Sequence, residues 1–341
     1  MMNSKKLSFE EAVRKRPGMY IGAAPNGKGI VYLVKHLILN LYYQSNAKLF
    51  CHFSIWGGNR FQLEIRSDGD ISDFLSSLDH KRQSLQNISR HDGYLLYLTI
   101  LSRTLDIENI SSSKIILTWE MDNEIFIDTA IDFNYLSDSL MRIAALNRDI
   151  KILLTNHTQA YLNQVYHDYP QGLKYLFDRY ITEQAPMCEF KLCYDESIGT
   201  NHYQVYLAYR MDWHPSPKIE SFIDNHPSCS SNDFVKGVLK GFISGVRKVA
   251  KNSGHQEYKI EKNKFYNGLI LICSVHRDDY QWSETSKGYY EGEDVKEEIK
   301  KVFEDLTLRF FDTNNDVAEK FLHRFYNGED IIKKTIGDMY R

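Results

Sequence analysis

The 341-residue sequence has no uninterrupted apolar run of the roughly 18 residues that a spanning helix requires, so no helical membrane span is expected. Its first residues, Met1 to Lys6, lead into a mixed segment that lacks the apolar core of a secretory signal. Five cysteines (Cys51, Cys188, Cys193, Cys229 and Cys273) form no Cys-x-x-Cys pair, which argues against a zinc site and for reduced thiols in a cytoplasmic chain. Net charge is only −3, so there is no global attraction to nucleic acid, and any DNA contact needs a local basic face. Internal repeats and low-complexity tracts are missing too. What is abundant is aromatic: 23 Tyr and 18 Phe give the chain enough apolar surface to offset the entropy of ordering. A length of 341 residues with 43% hydrophobic and 26% charged content predicts two globular domains, each with its own core.

Local patterns divide the chain further. Ser8 and Glu11 form a capping box that starts a short helix, and Pro17-Gly18 ends it. A helix from Ile30 to Ser45 carries Ile30, Leu33, Val34, Leu37, Ile38 and Leu41 as one apolar stripe. His36 and Asn40, four apart, share a face off that stripe. Strands are expected at 49–56 and 60–66, a helix at 94–103, strands at 104–109 and 114–120, a helix from 133 to about 147, a strand at 150–155 and a helix at 171–182. Polarity shifts around Glu183 to Met187, which places the domain boundary at 186: residues 1–186, then 187–341. In the second half a strand at 202–211 precedes a helix capped by Asn232, with Val235, Val238, Leu239, Phe242, Val246 and Val249 inward. Gly237, Gly241 and Gly245 recur every four residues there, a mark of close backbone packing. A strand at 265–276 and helices at 294–311, 316–326 and 329–339 follow, the first helix with Val295, Ile299, Val302, Phe303, Leu306 and Phe310 as its expected core stripe.

The string Arg16-Pro17-Gly18-Met19-Tyr20-Ile21-Gly22 resembles the N-terminal signature of the gyrase B and topoisomerase IV B ATPases. Further matches are the helix Phe133 to Asn147, Ser221 to Asn225, Gly268-Leu269 and the loop Gln281 to Gly288. The resemblance runs from about Leu7 to Lys334 and implies an α+β fold. A Bergerat-type (GHKL) α/β sandwich would be followed by a ribosomal-S5-like β-α-β transducer domain. It also implies an arm (Arg16, Pro17, Met19, Tyr20, Ile21) packed beside a nucleotide and a dimer partner. The similarity stops where the family's metal-binding cleavage domain would begin, so DNA cutting by this chain alone is not expected.

The family's nucleotide chemistry maps poorly onto the sequence. Asn40 matches the asparagine that holds Mg²⁺, while His36 stands in place of the water-activating glutamate. A protonated imidazole beside a triphosphate cannot accept a proton, so His36 reads as a surface or partner-contacting residue. Ser67 replaces the adenine-binding aspartate unless Asp68 serves after a one-residue slip, with Gly69 as the first glycine of that motif. The glycine-rich lid end becomes Ser89-Arg90-His91-Asp92-Gly93-Tyr94, which keeps only His91 and a displaced Gly93. Backbone can approach phosphate closely only where glycines leave room. Ile115 takes the place of a phosphate-contacting threonine. Glu284-Thr285-Ser286 occupies the family's Gln-Thr-Lys, with Lys287 one residue late. The expectation is therefore a pseudo-ATPase without cofactor, a homodimer or a partner of a topoisomerase-type complex. The alternative is a Mg-ATP-hydrolysing fragment of the gyrase B type working with a separate DNA-cleaving partner. Lys236, Lys240, Arg247 and Lys251 are DNA candidates, or else a solvated basic face.

Overall fold

A computed structural model describes residues 7–21, 23–45, 47–57, 59–71, 93–159, 161, 163–183, 186–210, 216–253, 265–277 and 292–325. His91, Lys287, Gly22, the segment 284–286 and the expected helix at 329–339 lie outside the described residues. The chain forms two compact units, Met1–Gly172 and Leu173–Arg341.

The first unit opens with α1 (Phe9–Lys15) and α2 (Pro17–Ile21). The capping box is formed: Glu11 N–H donates to Ser8 Oγ at 3.1 Å, and Ser8 N–H donates to Glu11 Oε2 at 2.7 Å. α3 (Gly27–Ser45) buries its whole expected stripe, and Val31 and Leu39 as well. β1 (Leu49–Trp56) and β2 (Arg60–Ser67) form a hairpin with Trp56 opposite Arg60. Then come α4 (Tyr94–Leu101), β3 (Ser102–Ser111), β4 (Lys114–Met121), α5 (Phe133–Leu146), β5 (Ile150–Asn156) and β6 (Asn163–His167). The sheet order is β3-β4-β2-β1-β5-β6, with β1 and β5 parallel. Period-two alternation sends Ile115, Leu117, Trp119 and Met121 of β4 inward, where they join Phe53, Phe61, Leu63 and the apolar faces of α3, α4 and α5 in one core.

The second unit comprises α6 (Leu173–Glu183), β7 (Pro186–Ile198), β8 (Asn201–Arg210), β9 (Lys218–Ile223), β10 (His226–Ser228), α7 (Asp233–Asn252), β11 (Leu269–Arg277), α8 (Glu293–Thr313) and α9 (Asn315–Phe325). Its sheet order is β10-β9-β11-β8-β7, with β11 parallel to β9 and antiparallel to β8. α7 is started by Asn232, whose Oδ1 accepts from Val235 N–H at 2.8 Å. Its glycines meet α8: a Cβ on Gly241 would lie 2.3 Å from the Lys300 carbonyl oxygen, and one on Gly245 would lie 2.6 Å from Thr307 Cβ. This close approach turns α8 so that Val295, Ile299, Phe303, Thr307 and Phe311 are buried. Val302, Leu306 and Phe310, expected in the core, are only partly covered. α6 packs on β8 and β11, so it belongs with the second unit, whereas the expected boundary at 186 falls after it.

Candidate functional site

The positions singled out for chemistry in the first unit converge where α3 meets α4. His36 is only 5% exposed and Asn40 8%, so both are buried rather than turned to the surface. Placing His36 at a surface or partner contact was therefore incorrect, because the aromatic start of α4 covers that face of α3. The Tyr94 ring stacks on the His36 imidazole with centroids 4.4 Å apart and planes 10° from parallel. Tyr32, one turn before His36, lies against the imidazole at 4.2 Å. The phenols of Tyr32 and Tyr94 share a hydrogen bond, and burial raises the Tyr32 pKa.

The stack continues outward. Tyr94 meets Tyr97 edge-on at 5.8 Å, and Tyr97 meets Tyr20 of α2 at 5.9 Å. Tyr20 in turn meets Phe9 of α1 at 5.7 Å. Six rings thus join the arm, α4 and α3 in one seam. Gly93 fits beneath it because a Cβ there would lie 2.9 Å from the Tyr97 ring. The arm is fixed by further contacts: Arg14 donates to the Ile100 carbonyl at 3.0 Å and pairs with Asp122, whose carboxyl is held below its usual pKa chiefly by that bond. Pro17 and Ile21 are buried, Tyr20 is half-buried, Arg16 is exposed and Met19 is 63% exposed.

At the end of β2, Ser67 Oγ accepts from Gly69 N–H at 3.0 Å. Asp68 Oδ1 accepts from Lys48 N–H at 2.8 Å, and Asp68 N–H donates to the Lys48 carbonyl. Ser67 thus serves its own turn, and Asp68 ties that turn to the residue before β1. Gly69 is held close, since a Cβ there would lie 2.9 Å from Ala47 Cβ. Ile115 is fully buried in the core. Among the described residues, no group of three or more His, Cys, Asp or Glu is placed to hold a metal ion, and no helix is long and apolar enough to cross a membrane. Tested against a Mg-nucleotide, the described residues fit poorly: the imidazole is enclosed by phenols, and the turn carboxylate is bonded to backbone.

In the second unit Lys236, Lys240, Arg247 and Lys251 are spaced by four, seven and four residues and share one face of α7. Lys240, Arg247 and Lys251 are exposed, while Lys236 pairs with Asp233 at 3.1 Å. Lys240 lies close enough to Glu297 to help depress its pKa, behind the larger effect of the Lys300 hydrogen bond. Sequence reasoning missed the seam, although its residue types were visible: Phe9, Tyr20, Tyr32, Tyr94 and Tyr97 only come together through the fold.

No family model matches the chain. It is 21% identical to the DNA gyrase B protein of Clostridium acetobutylicum over 356 residues, covering 91% of this chain and 55% of that protein. It is 23% identical to the DNA gyrase B protein of Borrelia hermsii over 369 residues, covering 92% of this chain and 56% of that protein. The chain thus spans about half the length of the curated relatives it matches. Among solved structures, gyrase B from Myxococcus xanthus superposes with a TM-score of 0.76 at 18% identity, over 93% of this chain and 99% of that one. The 43K ATPase domain of Thermus thermophilus gyrase B, in complex with an aminocoumarin, gives 0.71 at 13% identity, over 96% and 97%. The fold is that of the GHKL ATPases. Within that class it is gyrase-B-like along nearly the whole chain, from the arm through the second unit.

Proposed function

We propose that this chain is a degenerate gyrase-B-like module that does not hydrolyse ATP and serves as a binding, scaffold or regulatory component linked to DNA topology. One observation carries the reading. The two positions at which the family has its water-activating glutamate and its last lid glycine are here His36 and Tyr94, and the two rings lie face to face. A carboxylate has been exchanged for a ring, and a bare backbone position for the ring that covers it. The exchange is a matched pair, as expected when a hydrolytic site is given over to packing. Ser67, bonded within its own turn, and Asp68, bonded to the Lys48 backbone, add to it. The fold similarity supports a topoisomerase-type protein partner or a second copy of this chain, and Lys240, Arg247 and Lys251 give a basic face suited to DNA phosphates.

The second reading is an ATP-hydrolysing fragment of the gyrase B type that works with a separate DNA-cleaving partner. Asn40, kept one turn beyond His36, and the Arg16–Ile21 string favour it. Calorimetric titration with Mg-ATP and a non-hydrolysable analogue, with phosphate release followed in parallel, separates the two. The proposed reading expects neither heat of binding at millimolar nucleotide nor turnover. Turnover that is lost in Asn40→Ala would establish the second reading.

A further inference from the structure

β7 forms one edge of the second unit's sheet and pairs only with β8 among the described strands. A bulge between Pro186 and Lys191 interrupts that pairing, and the ladder is regular from Lys191 to Ile198. Edge strands present unpaired backbone donors and acceptors, and proteins either protect them or use them. Beside this edge runs a groove of about 630 Å³, walled by α8 and lined by Tyr194, Val302 and Leu306 among others. Lys191, Cys193 and Asp195 are exposed and alternate with Tyr194 along the strand, and Cys193 and Asp195 reach the rim of the groove.

The exposed side of β7 is self-complementary in charge. On β7, Lys191 and Asp195 stand two residues either side of Cys193. An antiparallel second copy centred on Cys193 sets each Lys191 opposite Asp195 of its mate, twice. Asp195 accepts from Gln204 and Tyr206 and pairs with His202 at 3.1 Å, all on β8, which fixes its carboxylate in place.

We propose that the β7 edge is a two-fold interface with a second copy of this chain, in which two β7 strands pair antiparallel about Cys193. Such a contact is isologous: one patch meets itself. It is separate from any pairing through the arm, and it stands whether or not nucleotide binds.

The geometry gives a site-specific test. Directly opposed residues of antiparallel strands have Cα atoms roughly 4.5–5.5 Å apart, inside the range a disulfide accepts. The full chain carrying Cys188→Ser and Cys229→Ser retains Cys193 together with the buried Cys51 and Cys273. Oxidised with copper-phenanthroline at alkaline pH, it is expected to give a covalent dimer whose linked peptides map to Cys193 on both chains. Adding Lys191→Asp places four acids along the seam and should lower the yield at least fivefold. Adding Asp195→Lys as well restores opposite charges and should recover most of it. Circular dichroism of each variant establishes that it is folded. Dimers without a Cys193–Cys193 link, or a link equally abundant in folded Lys191→Asp protein, would overturn the proposal.

Discussion

An imidazole enclosed by two phenols is held by dispersion and by stacking of the rings. For His36 this makes shape matter more than basicity. Tyr94→Ala removes a buried ring that touches His36, Tyr32 and Tyr97, and is expected to cost about 3 kcal/mol in urea unfolding. His36→Phe keeps a flat ring in the stack, whereas His36→Glu buries a carboxylate against aromatic faces. The Glu variant should be the less stable by several kcal/mol. Equal stability of the two would mean the enclosure is looser than 5% exposure indicates. A second histidine sets the response to acid. His167, buried and bonded to Tyr169 at 2.9 Å and Ser137 at 3.2 Å, has its pKa pushed down to about 4 by burial, only partly offset by Asp138. In the unfolded chain it titrates near the ordinary 6.5. Between those values the unfolded state binds a proton that the native state refuses. Stability therefore falls as pH drops from about 6.5 to about 4, by up to about 3 kcal/mol, and this contribution levels off below that. Unfolding free energies across that window should show a shallower slope in His167→Gln than in the parent protein.

At the scale of elements, the tightest constraint is the α7–α8 contact. Gly241→Ala would gain about 1 kcal/mol of helix propensity, but its Cβ would meet the Lys300 carbonyl at 2.3 Å and Phe303 Cβ at 2.9 Å. Carbonyl oxygens of a packed helix cannot swing aside, so the two helices must separate. A net loss of about 2 kcal/mol is expected, against almost none for Gly57→Ala, where a Cβ meets nothing. Chemical denaturation of the two variants provides the comparison. The glycine spacing made this contact readable from sequence, since only close backbone approach gives a reason for three glycines at intervals of four in a helix. The capping box, the α3 stripe and the β4 alternation were readable for the same reason: each is a local pattern. The site was readable by identity but not by environment. His36 and Tyr94 could be singled out from the string of letters; that the two touch requires α4 to be folded across α3. The two-sided cover of the second sheet was also hidden. β7, β9 and β10 were not anticipated because their neighbours in space come from distant parts of the chain, and α8's inward face was misjudged because the α7 glycines, not its own periodicity, set its rotation.

At the scale of the whole molecule, the position of α6 decides where the chain can be divided. β8 is buried from Tyr203 to Tyr209 and β11 from Leu269 to Val275 without alternation, the pattern of strands covered on both faces. α7 and α8 cover one face. α6 covers the other with Leu173, Leu176, Phe177 and Ile181, with Phe177 against the Tyr206 ring at 5.5 Å and Tyr180 donating to Glu220 at 2.7 Å. Four large side chains of this kind contribute on the order of 5 kcal/mol, a sizeable share of the roughly 5–15 kcal/mol that stabilises a typical domain. A fragment cut at the sequence-level boundary, 187–341, loses that helix and exposes Tyr206, Ala208, Ile270 and Ile272 of the central strands. A fragment cut at 173–341 retains it. The longer fragment is expected to unfold cooperatively with a melting temperature well above that of the shorter one, which should bind an apolar dye and aggregate. Thermal unfolding of the two fragments side by side reads the difference directly. If 187–341 proved as stable and as soluble as 173–341, α6 would be dispensable to the second core, and the boundary would return to the polarity shift near 186.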